Sequence, residues 1–148
     1  MAELEQIINK NEFSVKPLNY DALGVEEKEY FSLLDSFQAP YLEEKLLSEG
    51  TVNSSKEYQE LFCEFKKYVA LLAISRTTLG MVGKKIDKVW HQFILFTREY
   101  HKFSQDFFGS YIHHSPNTSK TILNPDADKN FFEWYHKLYG CIPKVWKD

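Results

Sequence analysis

Asp87 and His91 stand four residues apart in the run Ile86-Asp87-Lys88-Val89-Trp90-His91. On a helix, that spacing puts both side chains on one face, about 5–6 Å apart at Cβ. A carboxylate and an imidazole so placed can share a metal ion. Alternatively, the carboxylate can orient the imidazole by accepting its N–H. At roughly 100° per residue, the pair falls on the flank of the helix, beside the apolar stripe of Ile86, Val89, Trp90 and Phe93. A site at a seam between helices is built on such a flank. His113 and His114 follow one loop later, beyond Gly109, where the chain can turn back. Adjacent histidines in a loop usually point in different directions, so at most one of the two is expected to join His91 directly. Asp87, His91 and either His113 or His114 make a set of two nitrogens and one oxygen. That set suits zinc or non-haem iron(II) and leaves positions open for water or substrate. The candidate metal ligands are therefore Asp87, His91, His113 and His114.

Two plainer readings stand beside this one. His91 can be a structural histidine next to a core Trp90, bonded to a backbone carbonyl, or it can act without a metal. His101 and His136 are lone histidines on helices and are expected at the surface or rim. Tyr100 lies on the apolar stripe and is read as core, together with Trp90, Phe93 and Phe103. Other catalytic signatures are missing: there is no Gly-x-Ser-x-Gly, His-Glu-x-x-His, phosphate-binding loop or dinucleotide fingerprint. The stretch Gly80-Met81-Val82-Gly83-Lys84-Lys85 lacks the spacing and the trailing Ser or Thr of a phosphate loop and reads as a helix–helix turn.

The elements that position these residues are helices. Apolar residues at 3.6-residue spacing predict helices over 26–38, 41–48, about 55–75, 85–108 and from Asp126 or Asp128 to Leu138. A short amphipathic helix within 1–12, through Leu4, Ile7 and Ile8, would be a sixth. Ser54 with Glu57 three residues on reads as a capping box. Gly50, Gly109 and Gly140 read as stops. The expectation is an all-α bundle of five or six helices around a long central helix near 85–108, with no strand.

Composition bounds the rest. A chain of 148 residues buries roughly 70% of its unfolded surface, so it needs no metal to fold. Any bound metal would serve function. Twelve Phe, nine Tyr and three Trp supply a dense aromatic core. A net charge of −3 gives no overall attraction for nucleic acid or anionic membranes, and Lys84, Lys85 and Lys88 read as a solvated helix start. Cys63 and Cys141 form no Cys-x-x-Cys pair, and Cys63 lies in an apolar helical pattern as a small buried residue. The acidic start Met1-Ala2-Glu3-Leu4-Glu5 is unlike a signal peptide, and no apolar run approaches the ~20 residues of a membrane helix. A cytoplasmic protein is expected, with a protein or small molecule as its partner.

The run IDKVWHQFILFTREYHKFSQDFFGSYIHHSP resembles the signature of the glycine-rich domain-containing-protein-like family. The matching residues are Asp87, Trp90, His91, Phe93, Ile94, Leu95, Thr97, Tyr100, Phe103, Phe108, Gly109, His113, His114 and Pro116. The resemblance spans about 58–146, with 1–50 as a helical extension of the same single domain. It implies the stand-alone form of the domain, without a glycine-rich tail. Ser104 stands where the family often has Cys, and Tyr139 where a Phe usually precedes Gly; a serine cannot supply a thiolate. The resemblance adds weight to a site at Asp87, His91, His113 and His114, because a fold alone would not need these polar residues. It supplies no reaction. The main alternative is a non-catalytic helical interaction module in which the same residues are structural. RNA binding draws on the plant members of the family and on exposed aromatics, and is opposed by the net charge of −3.

Overall fold

The computed structural model describes residues 13–114, 120 and 124–147. The helix expected within 1–12 and the position of Pro116 lie outside the described residues. Among the described residues there are six α-helices and no strand: α1 (Val25–Ser36), α2 (Pro40–Ser48), α3 (Ser55–Ser75), α4 (Lys84–Leu95), α5 (Thr97–Phe108) and α6 (Ala127–Tyr139). Two 3₁₀ turns, Tyr20–Ala22 and Lys144–Trp146, flank them. No described helix is long and apolar enough to cross a membrane.

The α3 helix is the axis of the molecule, and α1, α2, α4, α5 and α6 all pack against it. Its start is set by side chains. Ser54 Oγ accepts from Glu57 N at 3.1 Å, and Glu57 Oε1 accepts from Asn53 N at 3.1 Å. The reciprocal bond thus lands one residue before the position a capping box uses. Both faces of α3 are buried in its middle, with Phe62, Phe65, Tyr68 and Val69 in the core. Cys63 is buried there too, and that burial pushes its thiol up to about 12, so it packs as a neutral side chain. The helix stops at Arg76 in the left-handed region, φ 49°.

The long helix expected over 85–108 is two helices. The chain breaks at Phe96, φ −84° and ψ 71°, between α4 and α5. Phe96 N bonds back only three residues, to Phe93 O, and Tyr100 N then restarts the helical pattern on Phe96 O. The apolar stripe hides this break, because Phe93 to Tyr100 is seven residues and keeps the helical phase. A straight helix over 85–108 would be about 36 Å long. Broken at Phe96, both halves lie on α3. The Phe96 ring packs on Tyr41, centroids 4.9 Å apart.

The C-terminal part closes the core. Asp126 holds the N-cap position of α6 without a side-chain cap bond, while Asn124 Oδ1 accepts from Asp126 N at 2.9 Å. Glu64, buried on α3, accepts from Tyr135 Oη at 2.5 Å and from Trp146 Nε1 at 2.9 Å through one oxygen. Lys67 Nζ lies 2.8 Å from the other oxygen. This network ties α6 and the tail to α3. Gly83, just before α4, is closely packed: a Cβ there would stand 2.9 Å from Ile86 Cδ1 and 3.0 Å from Trp146 Cε3, so these side chains would have to shift.

Candidate metal centre

The α4 helix is amphipathic, and Ile86, Val89, Trp90 and Phe93 are its buried face. Asp87 and His91 flank that face, one turn apart, as their spacing requires. The α5 helix ends at Gly109 in the left-handed region, φ 88°, where a side chain would be strained. The chain then returns along α4. Burial alternates along this return: Ile112 is buried, His113 exposed and His114 half-buried.

Asp87, His91 and His114 meet, with one ligand atom from each lying within 4.8 Å of the others. The Nε2 atoms of His91 and His114 are 2.7 Å apart. His114 Nε2 is 2.9 Å from Asp87 Oδ1, and His91 Nε2 is 3.6 Å from Asp87 Oδ2. Side-chain exposure grades across the set, from 16% at His114 through 33% at Asp87 to 52% at His91. The cluster is therefore rooted in the protein and open at His91. His113 turns away and packs its ring edge-on to Tyr111, centroids 5.0 Å apart. His101 and His136 are exposed and take no part.

These contacts cannot all be strong, well-aligned hydrogen bonds. A ring nitrogen carries either a proton or a lone pair, yet His114 Nε2 faces both His91 Nε2 and Asp87 Oδ1. The 2.9 Å approach to Oδ1 is close but is not an aligned hydrogen bond, since Oδ1 is buried without a bonding partner. An unmet buried polar atom costs about 1–3 kcal/mol. A cation at the point of convergence would satisfy all three groups. Neighbouring ligands on tetrahedral zinc, with bonds of 2.0–2.1 Å, stand about 3.3–3.4 Å apart. The two Asp87 contacts, made to different carboxylate oxygens, fall on either side of that value, and the imidazoles would have to part by about 0.6 Å to reach it.

Electrostatics favour the ligating form of His114. Burial pushes its pKa below the ordinary imidazole value; Asp87 pulls it back up, and His91 adds to the depression. A neutral imidazole keeps the lone pair a metal needs.

Behind the cluster lies a short hydrogen-bonded chain. Trp90 Nε1 donates to Tyr100 Oη at 2.8 Å, and Tyr100 Oη donates to the carbonyl of Ile112 at 2.6 Å. Burial pushes the Tyr100 hydroxyl up to about 12, so it stays a proton donor. The indole of Trp90 forms the floor beneath His114. Trp90, Phe93, Tyr100 and Phe103 are all buried. The role of the Tyr100 hydroxyl is not legible from a position on an apolar stripe. The choice of His114 over His113 had a signal, since the apolar Ile112 lies two residues before His114.

A family model, UCP032817-like, matches residues 29–135. The chain belongs to the UCP032817-like family. The UCP032817-like match takes in most of α1, all of α2 to α5 and most of α6, and with them Asp87, Trp90, His91, Tyr100 and His114. Comparison with curated proteins and with solved structures gave no match.

Proposed function

We propose that Asp87, His91 and His114 hold one divalent metal ion, zinc or iron(II), as the functional centre of this domain. The observation that carries the proposal is the convergence of two Nε2 atoms and one carboxylate on one point, with Asp87 Oδ1 buried there and without an aligned hydrogen bond. Two histidines and one carboxylate leave coordination positions for water or a small molecule, and the exposure of His91 puts those positions toward solvent. Zinc there would act as a Lewis acid and lower the pKa of a bound water; iron(II) would add redox chemistry. The likeness of 86–116 to the glycine-rich domain-containing-protein-like signature supports the same residues. Both cysteines are unpaired, which fits a cytoplasmic setting. Elemental analysis of protein purified without an affinity tag tests the proposal. One zinc or iron per chain is expected, and a metal-free protein that takes up neither ion on dialysis contradicts it.

A second reading, a helical interaction module, draws on a different surface. An open apolar cleft of about 740 Å³ lies among Leu18, Leu23, Tyr30, Ile74, Trp134 and Leu138. Leu18 and Ile74 are exposed there. This cleft does not share residues with the proposed metal centre, so substitutions that introduce a charge at Leu18 and Ile74 separate the two readings. Loss of a partner without loss of metal favours the module.

A further inference from the structure

We infer that Tyr100 is the positioning residue of this centre, an inference that rests on the metal reading above. The centre has two halves from different parts of the chain. Asp87 and His91 come from α4, and His114 comes from the return after α5. The Tyr100 hydroxyl joins them. It has one proton, given to Ile112 O at 2.6 Å, and it accepts from Trp90 Nε1 at 2.8 Å. Ile112 is two residues before His114, and Trp90 is the neighbour of His91 and the surface on which His114 stacks, centroids 3.9 Å apart.

The break at Phe96 is what allows this. Residues ten apart on a straight helix are about 15 Å apart along its axis. Trp90 and Tyr100 are ten apart and share a hydrogen bond, so the bend between α4 and α5 brings the phenol under the indole. The tyrosine ring needs no hydroxyl to fill its place, since it already packs on Phe93, centroids 5.2 Å apart. What the hydroxyl adds is orientation: it fixes the indole ring and the height of the 112–114 backbone together. Groups that orient metal ligands typically cost about 10–100-fold in metal affinity when removed.

The test compares Tyr100→Phe with Tyr58→Phe. Tyr58 is also buried, and its hydroxyl donates to Ala39 O at 3.1 Å, so its loss is of the same kind at a place outside the centre. Trp90→Phe, which removes the other end of the Tyr100 bond, is a second variant should Tyr100→Phe fail to fold, read by zinc affinity alone because it also removes the indole that shifts His114. Zinc affinity is measured by competition with a chromophoric chelator. The ring protons of His114 are followed by NMR in the metal-free protein, where the stacked indole shifts them upfield. Tyr100→Phe is expected to weaken zinc about 10–100-fold and to diminish the upfield shift, while Tyr58→Phe changes neither. Equal zinc affinity in Tyr100→Phe and wild type, or equal weakening in Tyr58→Phe, overturns the inference. A wild type that binds no zinc but loses the upfield shift only in Tyr100→Phe removes the metal reading and keeps the positioning role. A shift unchanged in Tyr100→Phe removes the positioning role.

Discussion

The indole of Trp90 and the imidazole of His114 lie face to face, ring centroids 3.9 Å apart and planes 20° from parallel. A ring pair this close reports the charge of the imidazole in the emission of the indole. In the metal-free protein, protonation of His114 puts a cation over the indole face and should quench it. Burial holds His114 below the ordinary imidazole value, so the quench should fall at a pH below 6.5. Trp90→Phe should abolish the transition, although Trp134 and Trp146 remain. A quench that persists in Trp90→Phe would place its source elsewhere.

The same shift sets the sign of a stability change. The unfolded chain protonates His114 at about pH 6.5. The folded, metal-free chain protonates it only at lower pH, because burial penalises the charged ring. Between those two values the unfolded state binds more protons, so stability falls as pH falls and then levels off. The urea midpoint of chelator-treated protein should decline across that window. His114→Phe should flatten this part of the profile; an unchanged slope in the variant would assign it to another group.

Trp90 is buried beneath the centre and touches Phe65 and Tyr68 on α3, centroids 5.8 and 5.5 Å away. Trp90→Ala leaves a cavity of indole size and should cost about 3–5 kcal/mol. The checking measurement is the denaturant midpoint. A variant that unfolds at the wild-type midpoint would contradict the packing described here.

Glu64 tests the far side of the core. Glu64→Ala strands the Tyr135 hydroxyl, the Trp146 indole N–H and the Lys67 ammonium together. Breaking a buried charged network from one side costs about 3–5 kcal/mol. The loss should appear in thermal unfolding, with zinc affinity of the still-folded fraction unchanged. A weaker zinc site would instead couple this network to the proposed metal centre.

Much of this was legible in the sequence, for physical reasons that differ between residues. The helix periods were plain in 55–75 because one apolar stripe runs its whole length. The break at Phe96 was not, since no Gly or Pro marks it and the stripe keeps its phase from Phe93 to Tyr100. The pairing of Asp87 with His91 follows from helix geometry alone. The approach of His114 to that pair depends on the left-handed turn at Gly109 and on the Tyr100–Ile112 bond, a tertiary contact between a helix and a loop. Tyr100 was readable as core but not as a tether, because an apolar stripe says where a ring goes and nothing about where its hydroxyl points.

The most direct test of the account is calorimetric titration of zinc into chelator-treated protein at pH 7.5. Wild type, Asp87→Ala, His91→Ala, His114→Ala and His113→Ala are compared, with circular dichroism to confirm that each is folded. Wild type should bind one zinc per chain. The Asp87, His91 and His114 variants should each lose high-affinity binding while staying helical, because a core of this size does not depend on the metal. His113→Ala should bind as wild type does, since His113 packs against Tyr111 and stands outside the cluster. Wild-type affinity retained in His91→Ala and His114→Ala, or lost in His113→Ala, would contradict the assignment of the centre.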